Sequence, residues 1–155
     1  MIQIFTDYIL ENETKEFIEF CENNINKLTH KESNYWYKGI DILPNIEEFS
    51  FLKRINLKKA SPQILRIHRL DENTKFSEAS HLDGGKSGTL TIFLNDEFTG
   101  GELCFNNCII TPKKNQVLYF TPEERHSVKM VKSGIRYTLI CFMDEPLSLI
   151  KKSLV

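Results

Sequence analysis

Apolar residues recur at three- and four-residue intervals early in the chain and then gather into short strand-like runs separated by polar turns. That change of period sets the expected architecture. Ile2 to Phe5 reads as a short strand. From Glu11 to Leu28, the residues Phe17, Ile18, Cys21, Ile25 and Leu28 share one side of an amphipathic helix. Glu11, Glu13 and Glu16 sit towards its N-terminal end, where the helix dipole favours negative charge. Tyr35 to Ile42 (YWYKGIDI) is aromatic and β-branched and predicts a strand. Leu43-Pro44 opens a second helix, carried by Ile46, Phe49, Phe51, Leu52 and Ile55 and ending near Ala60, with Pro62 just beyond.

The second texture begins at Gln63. Strands are expected over Gln63 to Leu70, Gly88 to Asn95, Gly101 to Phe105, Asn107 to Thr111, Gln116 to Phe120, His126 to Lys132 and Ile135 to Met143. Such spacing predicts a sandwich or barrel, with helices over one face. With no internal repeat or linker, the expected organisation is one domain over 1–155: helical support over about 1–60 and a β-barrel core over about 63–143.

Composition narrows the function without naming it. The chain has 155 residues, 26% of them charged, with 20 Lys and Arg against 21 Asp and Glu, a formal charge of −1. No basic footprint for nucleic acid or an anionic membrane follows from that balance. The start of the chain lacks a secretory or transit pattern, and no apolar run reaches membrane-spanning length. Cys21, Cys104, Cys108 and Cys141 lack C-x-x-C spacing and read as reduced, packed thiols, so a cytoplasmic location is expected.

The chemistry lies in HLDGGKSGTLTIFLN. Side chains two apart on a strand point the same way, so His81 and Asp83 can present an imidazole and a carboxylate to one point. A third ligand must come from elsewhere, and His126 opens an apolar strand of its own. Two histidines and a carboxylate form the facial triad that suits Fe(II), leaving the opposite face open. Further on, Arg136 and Thr138 in GIRYT share a strand face. A planar guanidinium beside a hydroxyl is a fitting receptor for a carboxylate, and a bound anion would satisfy an arginine set in an apolar strand. The GKS within GGKSG lacks both the spacing and the following helix of a phosphate-binding loop.

In this order and spacing, HLD at 81–83, FTGGELCF at 98–105, ITPKKNQVLYF at 110–120 and HSVKMVKSGIRYT at 126–138 resemble the Fe(II)- and 2-oxoglutarate-dependent oxygenases. The resemblance is to their prolyl 4-hydroxylase-like branch and covers about Gln63 to Met143. It implies a double-stranded β-helix, or jelly roll, in a mainly β chain with N-terminal helices. It further implies that His81, Asp83 and His126 bind iron, that Arg136 pairs with the distal carboxylate of 2-oxoglutarate, and that Thr138 assists. The implied reaction consumes O2 and 2-oxoglutarate, releases succinate and CO2, and hydroxylates an unactivated C–H bond, with ascorbate as a candidate reductant. A prolyl residue of a peptide or protein leads as substrate, with free amino acids and small metabolites as alternatives, and nucleic acid and membrane are not expected partners. A non-catalytic jelly-roll binding module is the competing class.

The sequence departs from the family in two places. The strand QILRIHRL lacks the family tyrosine that touches the cosubstrate, leaving His68 as a candidate for its position. Leu103 stands where threonine commonly follows GGE. The polar loop from Asp71 to Ser80 is expected to close over substrate, and Tyr35, Trp36 and Tyr37 are candidates for a substrate groove.

Overall fold

The computed structural model describes residues 1–32, 36–74 and 80–146, with the side chains of residues 29–32 and 36–37 set aside. Eleven strands and two α-helices, α1 (Glu11–Asn23) and α2 (Ser50–Arg54), form the described elements, together with short 3-10 turns. The strands are β1 (Ile2–Phe5), β2 (Thr29–Glu32), β3 (Trp36–Asp41), β4 (Pro62–Asp71), β5 (Gly88–Phe93) and β6 (Phe98–Gly100). They continue with β7 (Leu103–Phe105), β8 (Ile109–Ile110), β9 (Val117–Phe120), β10 (His126–Val128) and β11 (Val131–Met143). The major sheet runs β1-β9-β5-β11-β4-β3-β2, with β6 added beside β11, and the minor sheet runs β10-β7-β8. Every pairing is antiparallel.

Strand alternation divides the major sheet into two different faces. One face carries Leu65, Ile67, Leu90, Ile92, Leu139 and Cys141 into a core shared with Phe17 and Cys21 of α1. Phe17 stacks on Phe49 with ring centroids 4.7 Å apart, fastening α1 to the segment before α2. The opposite face meets the minor sheet, where Phe93, Leu118 and Phe120 pack on Leu103 and Phe105. This is the predicted jelly roll with N-terminal helices on one side.

The helical region differs from expectation in length and continuity. α1 stops at Asn23, before Leu28, because Asn24 leaves helical geometry (φ −118°) and its side chain donates to Phe20 O at 2.8 Å, capping the helix end. The single helix expected over 43–60 is three pieces: a 3-10 turn at Leu43–Glu48, α2, and a 3-10 turn at Leu57–Ala60. Phe49 is extended and Asn56 is left-handed (φ 51°), so the chain turns twice to bury Ile46, Phe49, Phe51, Leu52, Ile55, Leu57 and Ala60. Apolar density there far exceeds one helix face.

The strand boundaries also differ. β11 begins at Val131 and passes through Gly134 (φ 78°), where a break was expected; a Cβ at that position would lie 2.6 Å from Glu97 O, so only glycine lets β6 approach. β2 and β6 were not foreseen, since THKE and FTG carry too little apolar pattern and are strands because β3 and β11 pair with them. All four cysteines are free, but Cys108 is exposed at the β7–β8 turn, not packed. No described helix is long and apolar enough to cross a membrane.

Candidate metal and cosubstrate site

The sequence places His81 and His126 forty-five positions apart, and backbone pairing brings them face to face. His81 N–H donates to His126 O at 2.9 Å and His126 N–H to His81 O at 3.0 Å, an isolated antiparallel bridge at the start of β10. The two rings lie 4.4 Å apart. Asp83 Oδ1 completes the group, 3.3 Å from His126 Nε2 and 3.5 Å from His81 Nε2. One donor atom from each residue lies within 4.8 Å of the others, a spacing that could hold a metal ion.

The surroundings fix each donor's chemistry. His126 Nδ1 is 3.0 Å from Glu124 O; with the proton on Nδ1, Nε2 keeps its lone pair directed at the site. Phe120 and Phe105 wall its ring, with centroids at 4.7 and 5.8 Å. Burial disfavours a charge on His126, but the hydrogen bond and charge of Asp83 outweigh it and raise its pKa. Burial likewise opposes ionisation of Asp83, yet hydrogen bonds with His126, His81 and Thr89 hold its carboxyl well below the usual range. The carboxylate is therefore ionised at neutral pH, as a ligand must be.

Arg136 and Thr138 lie on the face of the major sheet that meets the minor sheet. Across β4 they stand opposite Leu70 and His68, and Thr138 also faces Phe93 on β5. Arg136 is 2% exposed, its Nε donates to Gly101 O at 3.0 Å, and its guanidinium carbon lies 5.7 Å from the centre of the Phe93 ring. No carboxylate among the described residues pairs with it. Thr138 is fully buried and its hydroxyl has no hydrogen-bond partner among the described residues. A buried cation beside such a hydroxyl fits a carboxylate that the described residues do not supply. His68 lines the same wall, where burial, Arg136 and Arg66 push its pKa down to about 3, so the ring is neutral.

Three positioning contacts escaped the sequence reading. Thr89 Oγ1 donates to Asp83 Oδ2 at 2.8 Å. Asn95 grips the backbone on both sides of Arg136, donating to Ile135 O at 2.7 Å and accepting from Tyr137 N–H at 2.9 Å. Gly101 (φ 70°) leaves space that a Cβ would fill, 2.8 Å from Arg136 Cδ. Of the remaining expectations, Tyr35, the side chains of Trp36 and Tyr37, and residues 75–79 of the 71–80 loop fall outside what is described.

The profile of the 2OG-Fe(II) oxygenase superfamily matches residues 63–144, more than half of the chain. The chain belongs to the 2OG-Fe(II) oxygenase superfamily. Members of this superfamily use Fe(II), 2-oxoglutarate and O2, and the donors and the orphan cation described above fit that set. Among curated proteins, none matches the chain in sequence.

Solved oxygenases share its fold at low identity. A prolyl hydroxylase from Trichoplax adhaerens, in complex with a hypoxia inducible factor oxygen degradation domain peptide fragment, is 15% identical with a TM-score of 0.73, covering 99% of this chain and 85% of its own. The viral collagen prolyl hydroxylase of Paramecium Bursaria Chlorella virus-1, in its 2OG complex, is 16% identical with a TM-score of 0.68, covering 91% and 94%. The non-heme alpha ketoglutarate dependent epimerase SnoN from nogalamycin biosynthesis is 11% identical with a TM-score of 0.69, covering 92% and 78%. One oxygenase fold thus carries different reactions, and the reaction must be argued from the site.

Proposed function

We propose that the protein is an Fe(II)- and 2-oxoglutarate-dependent dioxygenase that hydroxylates an unactivated C–H bond, with a prolyl residue of a peptide or protein as its leading substrate. His81, Asp83 and His126 hold the metal, and Arg136 with Thr138 receives the distal carboxylate of 2-oxoglutarate. The observation that carries the reading is the buried Arg136, without a carboxylate partner among the described residues, on the same sheet face as the Thr138 hydroxyl, likewise unpartnered among them, and as Thr89, which holds Asp83. A non-catalytic binding module would leave that cation unexplained.

Bound Fe(II) and 2-oxoglutarate supply the oxidising chemistry, in which O2 gives one oxygen atom to the substrate and one to succinate, with loss of CO2. The chain's own residues do the rest. His126 presents Nε2 because Glu124 O holds its other nitrogen. Asp83 contributes a negative charge that its burial would otherwise suppress. Arg136 fixes one end of the cosubstrate in a single orientation, since its planar fork matches a carboxylate and its Nε is tied to Gly101. His68, neutral and opposite Thr138, adds no charge on that face. The buried cluster of Phe93, Phe105 and Phe120 beside His126 and Arg136 keeps water from that side of the site.

The proline assignment is supported by the likeness to prolyl hydroxylases, one of them in complex with a peptide. Anaerobic addition of Fe(II) and 2-oxoglutarate should give the visible charge-transfer band of a chelated 2-oxo acid, lost in Asp83→Ala. Admitting oxygen with a library of proline-containing peptides should then give succinate and a mass gain of one oxygen atom on proline. Succinate formation driven only by free amino acids or small metabolites would overturn the peptide substrate and leave the oxygenase chemistry standing.

A further inference from the structure

We propose that Thr89 is a positioning residue for the metal centre, its hydroxyl occupying Asp83 Oδ2 so that Oδ1 alone is presented to the metal. This inference rests on Asp83 being a ligand, as proposed above. Thr89 Oγ1 lies 2.8 Å from Oδ2, while Oδ1 faces both histidines at 3.3 and 3.5 Å. The two oxygens of one carboxylate are therefore already assigned to different tasks.

The two ends of this contact differ in how firmly they are held. Asp83 lies outside the regular strands, followed by Gly84 and Gly85, and the terminal torsion of a carboxylate is soft. Packing within a strand does not set its orientation. Thr89 is its opposite: 2% exposed, paired on one side with Phe120 of β9 and on the other with Phe142 of β11, and therefore fixed near the middle of the major sheet. The linker between them is pinned as well, since Tyr119 Oη donates to Ser87 O and Ser87 Oγ donates to Asp144 O at 2.7 Å. The hydroxyl thus transfers the rigidity of the sheet to a ligand on a loop. A carboxylate limited to one oxygen leaves the metal's remaining positions for cosubstrate and oxygen, whereas a two-oxygen grip would consume one of them.

The test compares Thr89→Val, which keeps the branched shape and loses the hydroxyl, with Thr89→Ser, which keeps the hydroxyl. The readouts are the Fe(II) dissociation constant, measured anaerobically without 2-oxoglutarate, and the thermal midpoint of the metal-free protein. Thr89→Val should weaken Fe(II) binding about 10- to 100-fold, the usual effect of losing a partner of a metal ligand, with Thr89→Ser recovering most of it. Should Thr89→Val not fold, Thr89→Ala removes the same hydroxyl and carries the same expectation. Wild-type Fe(II) affinity in the hydroxyl-free variants, with affinity lost in Asp83→Ala, would overturn the role of Thr89 and leave the ligand assignment intact. Wild-type affinity in Asp83→Ala itself would remove both readings. A lowered thermal midpoint with unchanged Fe(II) affinity would make Thr89 a purely structural residue and also overturn the proposal.

Discussion

Arg136 holds a full charge in a buried position where, among the described residues, it meets one carbonyl and one aromatic face. Burial lowers its pKa to about 10, which still leaves it charged at neutral pH. Such a group weakens the metal-free protein and is satisfied by a bound anion. Replacing it with a hydrophobe of similar volume, Arg136→Met, should therefore leave the thermal midpoint without cosubstrate equal to wild type or higher. The same variant should weaken 2-oxoglutarate binding by about 10- to 100-fold, the worth of hydrogen bonds to a charged group, with Fe(II) affinity retained. Arg136→Lys should not rescue it, because an ammonium cannot form the planar fork. Calorimetric titration of 2-oxoglutarate into the Fe(II)-loaded variants checks all three, and wild-type affinity in Arg136→Met would remove Arg136 from the cosubstrate. That His81, Asp83 and His126 come together was legible in the sequence, through the order and spacing of HLD, the later His and GIRYT, and Arg136 stood out as a charge within an apolar strand. Thr89 and Asn95 were not legible, because a threonine in a strand and an asparagine at its end are ordinary, and only the fold supplies their partners six and about forty residues away.

At the scale of elements, periodicity identified which segments are buried better than how they are shaped. β4, β5 and β9 follow their apolar runs closely, and α1 follows its spacing as far as Asn23. The segment 43–60 has apolar residues on every side, so no single period describes it, and left-handed Asn56 with extended Phe49 decides its path. The β6–β7 turn shows the same limit near the site. Gly100 (φ 75°) and Gly101 (φ 70°) both adopt backbone that disfavours a side chain, and at Gly101 an added Cβ would also press on Arg136 Cδ and on Phe98 Cε2 at 3.1 Å. Gly101→Ala should cost about 1–2 kcal/mol of stability from the left-handed backbone. It should also raise the concentration of 2-oxoglutarate needed for half saturation, because the arginine must move, while Fe(II) affinity stays at the wild-type value. Urea unfolding and separate metal and cosubstrate titrations check this, and unchanged 2-oxoglutarate affinity would show that the turn does not seat Arg136.

Across the whole molecule, carboxylates stitch the helical side to the strands that carry the site. Glu13, buried on α1, accepts from Leu10 N–H and pairs with Arg54 of α2 at 2.7 Å. Glu22, near the end of the same helix, accepts from Arg69 of β4 at 2.8 Å and from the Tyr137 hydroxyl of β11, the neighbour of Arg136. Burial alone would raise both pKa values, but the hydrogen bonds from these partners prevail and hold each carboxyl below its ordinary value of 4.5. A carboxyl with a depressed folded-state pKa contributes stability that is fully present above the unfolded value and lost as pH falls through the folded one. The metal-free protein should therefore lose stability to these carboxyls as pH falls below about 5, added to the loss that His68, held neutral in the fold, begins nearer its ordinary value of 6.5. Because Arg54 is more than a third exposed and screened by water, Glu13→Gln should cost only about 1–2 kcal/mol at neutral pH. The double variant Glu13→Gln, Glu22→Gln should flatten the acid limb, since neither amide titrates. An acid limb as steep as that of wild type would place the responsible carboxyls elsewhere. If the limb does flatten, 2-oxoglutarate affinity in Glu22→Gln tells whether the stitch on Tyr137 also holds Arg136 in place, because a purely global loss of stability would leave that affinity unchanged in the folded protein.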